Sequence, residues 1–293
     1  MSQSNKFTLI ADSTQLSAFS DCPESWNLAH QERLEKNEQN KKAMNMGSYG
    51  HVLLERYYKA RASGENQNNA LQYCLSIEPD DYLNLTIEET LLLRDKITMY
   101  VYTYTNNDFI PQNPESVELG FSRKVFEDDA RLYILEGKLD KYQHTPSLGT
   151  YNGMTSIMDH KFQMKRHDLY EKRLQFRNYA WATNSNLFVI NYIRMTKKND
   201  ETTFQRKTVP FSSLELQLWH ARLIGLFRKM EVAIRLANGE YGQKEPYEHR
   251  WGSCENKYGY ACQFADICEQ TDQFSLNMVK ETKYHKIQEW KPW

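Results

Sequence analysis

The segment GKLDKYQHTPSLGTYNGMTSIMDHK, residues 137–161, constrains this chain more than any other. Two short apolar runs end in acid, Leu132 to Asp140 and Thr155 to Lys161. Both read as strands, and the Gly, Pro, Ser, Thr and Asn between them read as a hairpin loop. Side chains two apart on a strand share a face, so Asp159 and Lys161 project together into the space that Asp140 faces. Two carboxylates and an ammonium in one place suit a hard divalent cation, Mg²⁺ or Mn²⁺, whose other ligands are waters and phosphate oxygens. Such an ion activates water and polarises a phosphoryl group, while the lysine orients the water or steadies developing charge. D-x-K is a very common pattern, and taken alone it reads first as surface acids beside a surface lysine; the rest of the chain is what favours a metal site.

The preceding residues add to this picture. Ser13 to Pro23 reads as a helix with Ser13 as N-cap, Leu16 and Phe19 at helical spacing, a stop at Pro23 and Cys22 at its end. The polar run from Gln31 to Lys42 reads as a helix end and loop. From Gly47 onward, Leu54, Tyr57 and Tyr58 mark an amphipathic helix. Gly47 and Gly50 let another backbone come close, and His51 is a candidate nitrogen ligand for Mn²⁺. Residues 64–83 read as a polar loop, with Cys74 as a structural cysteine. Thr86 caps a helix reaching Thr105, with Leu91, Leu92, Ile97 and Tyr100 on its buried face. A strand from Glu118 to Phe126 then leads into the hairpin. Glu118 reads as an ordinary exposed glutamate, with an outer acid of the site as the alternative.

Beyond the hairpin the chain turns basic. Lys161, Lys165, Arg166, Lys172, Arg173 and Arg177 stand against Asp168 and Glu171, on a helix by pattern. Gln175 and Tyr179 are four apart and share a face of it. A solvated face explains such a run, but its position after the acids also sets positive charge where a phosphate backbone would pass. Phe188 to Met195 reads as a strand, Phe204 to Pro210 as its partner, and Ser213 to Ala237 as a long helix closed by Asn238-Gly239. The tail places Cys254, Cys262 and Cys268 in a short loop. Three thiolates lack one ligand for zinc or a four-cysteine iron–sulfur cluster, and Cys22 supplies it only if these distant segments meet. Lys plus Arg number 37 against 38 Asp plus Glu, so any basic surface is local. A polar start and no long apolar span predict a soluble, cytoplasmic protein with no membrane partner, whose cysteines are free or metal-bound.

Taken together these residues resemble the RecB-like branch of the PD-(D/E)xK nuclease superfamily. The resemblance is to its iron–sulfur members, the CRISPR-associated exonucleases and the AddB nuclease domain. Ser13 to Pro23 resembles their opening helix and first cluster cysteine, and Gly47-x-x-Gly50-His51 their G-x-x-x-H helix. Gly137 to Asp140 resembles their G-x-x-D strand, Asp159-His160-Lys161 their D-x-K, and Gln175 to Tyr179 their Q-x-x-x-Y. The spacing from Cys254 to Cys262 is wider than in those relatives, whereas that from Cys262 to Cys268 fits.

The resemblance implies an α/β, restriction-endonuclease-like mixed sheet flanked by helices. It implies one nuclease domain with a helical N-terminal part to about residue 110, a core over about 115–240 and a cysteine-rich tail over 250–268. His51, Asp140 and Asp159, with a backbone carbonyl near His160, would hold Mg²⁺ or Mn²⁺. Lys161, Gln175 and Tyr179 would complete the catalytic set, and Lys165, Arg166, Arg173 and Arg177 would meet DNA. Cys22, Cys254, Cys262 and Cys268 would carry a [4Fe–4S] cluster, with zinc as the alternative. The implied activity is metal-dependent DNA cleavage, as an exonuclease on single strands or free ends, in recombination, repair or phage replication in a bacterial or phage-infected cell. A homo-oligomer or replication and recombination partners would accompany it. The rival readings are a non-catalytic DNA-binding scaffold with this fold, and a zinc-stapled interaction module.

Overall fold

A computed structural model describes residues 6–37, 41–80, 83–144, 153–163, 173–254 and 261–288. The chain is mixed α/β, with a central mixed sheet flanked by helices. It divides into two compact units. The first comprises Met1–Gln39, Ser122–Glu136 and Leu218–Trp293, and the second comprises Asn40–Phe121 and Gly137–Gln217. No helix among the described residues is long and apolar enough to cross a membrane.

The second unit carries the hairpin. Strands β3 (Val117–Glu127) and β4 (Arg131–His144) enter it in part, and β5 (Thr155–Gln163), β6 (Leu187–Arg194) and β7 (Phe204–Pro210) lie in it whole. β4 and β5 pair antiparallel with Lys141 opposite Met158, so the hairpin forms as the alternation predicts. β5 and β6 run parallel with His160 opposite Asn191, joined by a crossover through α6 (Leu174–Thr183), and β7 returns antiparallel on β6. β6 is buried at all but its last residue, as a parallel strand covered on both faces must be.

Helices α3 (Lys42–Ala62), α4 (Gln67–Leu75) and α5 (Ile87–Thr103) complete this unit. α3 buries Met46, Tyr49, Leu53, Leu54, Tyr57 and Tyr58, one face at three- and four-residue steps. Thr86 caps α5 as its sequence predicts, its hydroxyl accepting from the Glu89 N–H while the Glu89 carboxylate accepts from the Thr86 N–H. The buried face of α5 is Leu93, Ile97, Tyr100 and Val101, and Leu91, expected inside, is exposed. α4 replaces an expected loop. Asn66 caps it, and only Ala70, Leu71 and Cys74 are buried, so a single packed stripe makes a helix of an otherwise polar run.

The first unit gathers segments far apart in sequence. It holds β1 (Phe7–Ala11), α1 (Ser13–Asp21), α2 (Pro23–Trp26) and β2 (Leu34–Lys36), with α8 (Ala265–Cys268), α9 (Gln273–Lys283) and β8 (Tyr284–Lys286) from the far end. It also holds most of α7 (Ser213–Ala237). β1 pairs parallel with the first half of β4, Phe7 opposite Arg131. Asp12, not Ser13, caps α1, its carboxylate accepting from the Thr14 and Gln15 N–H groups at 2.7 and 2.8 Å. β2 pairs antiparallel with β8, Leu34 opposite Lys286, and a small core of Leu28, Leu34, Phe264, Ile267 and Tyr284 closes around them.

Candidate active site

All the residues of the main site belong to the second unit. Asp140 stands on β4, and Asp159, His160 and Lys161 follow one another on β5. Alternation sends Asp159 and Lys161 to one side, where the Lys161 ammonium lies 2.6 Å from Asp159 Oδ2. The intervening His160 N–H donates to Asp140 Oδ2 at 2.6 Å, so the strand between the two functional side chains also holds the third.

α6 contributes the next layer. Gln175 Nε2 donates to Asp159 Oδ1 at 3.3 Å and to the Tyr179 hydroxyl at 3.2 Å. Its Oε1 accepts from Lys161 Nζ at 3.4 Å. One amide thereby fixes the acid, the ammonium and the phenol together, which a four-residue spacing on a helix allows. Tyr179 stacks edge-on against Phe121, and a Cβ on Gly137 would come within 2.6 Å of that Phe121 ring and 3.0 Å of Tyr179. Any side chain at this position would force the Phe121 ring to move.

His51 enters from α3. Its Nδ1 lies 3.4 Å from Asp140 Oδ2, and its ring meets Phe162 edge-on. A Cβ on Gly50, one residue earlier, would fall 2.5 Å from the Phe162 ring, so the close approach read from the sequence is made by an aromatic side chain rather than a backbone.

Glu118 is a residue the sequence reading set aside. It is partly buried, not exposed, and its carboxylate pairs with Lys138 Nζ at 2.7 Å. Among the described residues, one group of potential ligands has its donor atoms all within 4.8 Å of one another: His51, Glu118 and Asp140. Asp159 from the expected trio is instead engaged by Lys161 and Gln175. Glu118 adopts φ 55°, a left-handed conformation that costs a non-glycine residue about 1–3 kcal/mol and that clusters at functional sites.

The electrostatics match a cation site. Burial pushes the Asp140 carboxyl up to about 8, and the Asp159 charge adds to the shift. Burial also raises Glu118, followed by repulsion from Asp140. Burial lowers His51 below its ordinary 6.5, leaving a neutral imidazole able to ligate. Crowded carboxylates that resist ionisation are relieved by a positive ion among them, and a neutral imidazole beside two carboxylates suits Mg²⁺ or Mn²⁺. Of the residues expected to meet DNA, Arg173 is exposed at the start of α6 and Arg177 follows one turn later, whereas Lys165 and Arg166 lie outside the described residues.

The cysteines form a separate neighbourhood in the first unit. Cys22 lies between α1 and α2, Cys268 ends α8, and the Cys262 N–H donates to the Cys254 carbonyl at 2.6 Å. The sequence-distant segments do meet: the Glu24 N–H donates to the Glu248 carbonyl at 3.1 Å, and the Ser253 hydroxyl donates to the Asp21 carbonyl at 2.7 Å. Burial pushes the Cys268 thiol up to about 12, with further contributions from Glu24 and from Cys262, Cys22 and Cys254. Burial raises Cys254 as well, and Cys262 and Cys22 add to it. None of the four thiols is in a disulfide. Cys74, buried in the second unit, is structural in its packing.

An exonuclease candidate from Eubacterium rectale is similar in structure at 13% identity and a TM-score of 0.46, covering 92% of each chain. LHK-Exo in complex with dAMP is similar at 9% identity and a TM-score of 0.30, over 67% of this chain and 99% of its own. No curated protein matches the sequence. The family model of the PD-(D/E)XK nuclease superfamily matches residues 13–269, from the opening helix past the last cysteine. The chain belongs to the PD-(D/E)XK nuclease superfamily.

Proposed function

We propose that this protein is a metal-dependent deoxyribonuclease that hydrolyses phosphodiester bonds from DNA ends. The observation that carries the reading is the convergence of His51, Glu118 and Asp140 beside the Asp159–Lys161–Gln175 set. His51, Asp140 and Asp159, with Glu118 as an added acid, would hold Mg²⁺ or Mn²⁺. A bound cation of this kind supplies Lewis acidity toward the phosphoryl oxygens and a more acidic water. Lys161, held against Asp159, orients the attacking water and offsets the negative charge that builds on phosphorus. Gln175 holds Asp159 and Lys161 in register, and Tyr179 anchors Gln175. Arg173 and Arg177 are suited to a passing phosphate backbone, where each cation adds affinity that weakens with salt.

In the first unit, Cys22, Cys254, Cys262 and Cys268 would ligate a [4Fe–4S] cluster. Four free thiols from segments more than 200 residues apart, drawn into one neighbourhood, support a soft-metal site that staples them. Zinc is the other soft-metal reading. The RecB-like resemblance supports work in recombination, repair or phage replication, with DNA as the partner.

The deciding experiment is cleavage of end-labelled single- and double-stranded DNA with Mn²⁺, run beside Lys161→Ala. Degradation by wild type alone is expected, with a product ladder that reports polarity. If neither protein cuts any substrate while both are folded, the DNA-binding scaffold replaces this reading.

A further inference from the structure

The far side of β5 carries a second polar arrangement that the proposed chemistry does not use. His160 sits between Asp159 and Lys161, and its ring is buried on the opposite face. That ring stacks on Tyr58 at 5.7 Å and 14° and meets Tyr100 edge-on at 6.2 Å. Its Nδ1 lies 2.7 Å from Asn191 Nδ2, on the neighbouring strand and in register. Asn191 is itself fully buried, and its Oδ1 accepts from Arg206 Nε at 3.4 Å. Arg206 is held by Asp108 Oδ1 and the Tyr100 hydroxyl, each at 2.7 Å, and by the Asn107 carbonyl at 2.9 Å.

This order of bonds settles the Asn191 amide. Arg206 can only donate, so the oxygen faces Arg206 and the NH₂ faces the imidazole. His160 Nδ1 therefore accepts, and its proton resides on Nε2.

His160 also touches two of the three convergent ligand residues. Its N–H holds Asp140 Oδ2 at 2.6 Å, and its ring stands edge-on to His51 at 6.5 Å. The backbone of His160 holds one ligand and its ring borders the other, so a shift of β5 at this residue would move both ligand groups at once. Hydrogen-bond partners beyond the ligands typically govern metal affinity by fixing ligand orientation.

We propose that Asn191 is a positioning residue of the metal site, acting through His160 and anchored by Arg206 and Asp108. The proposal rests on the reading of His51, Glu118, Asp140 and Asp159 as the cation site. It adds a line of directional bonds crossing the sheet from β7 to β5, which sets where Asp140 and His51 stand.

Mn²⁺ titration followed by electron paramagnetic resonance tests this on the full chain without using catalysis. The variants are Asn191→Ala, Asn191→Asp and Val189→Ala, with circular dichroism to establish folding. Val189 lies two residues away on β6, is fully buried in a cluster with Met158 and Phe109, and has no polar side-chain atom to join the line. Asn191→Ala should weaken Mn²⁺ binding about tenfold or more, whereas Asn191→Asp should stay within about threefold. An aspartate can accept from both Arg206 Nε and a reversed His160 tautomer, so it rebuilds the line. Val189→Ala should lose thermal stability and keep its Mn²⁺ affinity.

The proposal is overturned if Asn191→Ala binds Mn²⁺ like wild type, or if Val189→Ala loses as much affinity. If Asn191→Ala does not fold, Asn191→Asp decides: retained affinity supports the line, and a tenfold loss rejects it. Wild type that takes up no Mn²⁺ would instead remove the cation site itself, and the proposal with it.

Discussion

The acid–histidine site and the cysteine neighbourhood are assembled in opposite ways. In the first, neighbouring strands and one crossover helix bring Asp140, Asp159, Lys161 and Gln175 together, and the backbone itself supplies a hydrogen bond to Asp140. Its geometry is a by-product of sheet pairing. In the second, Cys22 meets Cys254, Cys262 and Cys268 through short helices and a few long-range hydrogen bonds. A site built on paired strands tolerates loss of a ligand without loss of the fold. One that gathers distant segments depends on what binds there, because binding and folding share one free energy.

The sharpest way to break this contrast is to delete a carboxylate. Asp140→Ala and Asp159→Ala should each lower Mn²⁺-dependent DNA cleavage about a thousandfold or more. The thermal midpoint of Asp140→Ala should hold or rise, because a carboxyl disfavoured by burial is removed, whereas Asp159→Ala should lose some stability but stay folded, because Lys161 is left without its partner. Full activity in either variant would sink the site, and an unfolded Asp159→Ala would erase the contrast. Cys262→Ser should show the reverse, stripping iron or zinc from the purified protein and lowering the thermal midpoint by about 5 °C or more. Metal analysis and calorimetry read both effects, and an unchanged midpoint would mean that no bound group staples the first unit.

A smaller effect probes the packing under the acid site. Gly50→Ala should cost about 1–3 kcal/mol in a urea titration, because the new methyl strikes the Phe162 ring that borders His51. A neutral result would show that α3 can back away from β5.

The gentlest probe is pH. Asp140 keeps its proton to about pH 8 when folded but loses it near pH 4 when unfolded, so the native state binds the extra proton in between. Stability of the metal-free protein should then fall as pH rises through this window, by up to about 1.4 kcal/mol per pH unit. Saturating Mn²⁺ should flatten the slope. A slope of opposite sign without metal would mean that Asp140 is ionised and paired in the fold.

The acid site was largely legible before any coordinates. Asp159 and Lys161 obey a two-residue period, Asp140 lies on the strand that pairs with theirs, and Gln175 and Tyr179 keep a four-residue spacing, so local geometry delivers them to one place. Glu118 was weighed as an outer acid but ranked as an exposed glutamate, because its arrival depends on a left-handed backbone turn that nothing in VELGF announces. Leu91 was misread for a related reason: three adjacent leucines give no phase, and only the packing of Leu93, Ile97 and Tyr100 sets it. α4 was missed because Gln and Asn dilute a stripe only two turns long. β1, α9 and β8 went unread because each is short and acquires its partner from far along the chain. The Asn191 line was invisible for the opposite reason. Its members sit on four separate segments, and no spacing links them.

The first unit is assembled from three stretches of sequence, and β8 is laid against β2. On a ribosome this imposes an order. Residues 40–217 hold all the described contacts of the acid site, so the second unit has its strands and helices available early. The segment with Cys22 must wait until more than 200 further residues have been made before Cys268 and Tyr284–Lys286 emerge to close around it. Through that interval Cys22 lacks its three companion thiols. Gathering distant segments therefore leaves Cys22 without its final surroundings for longer than any residue of the acid site waits for its own.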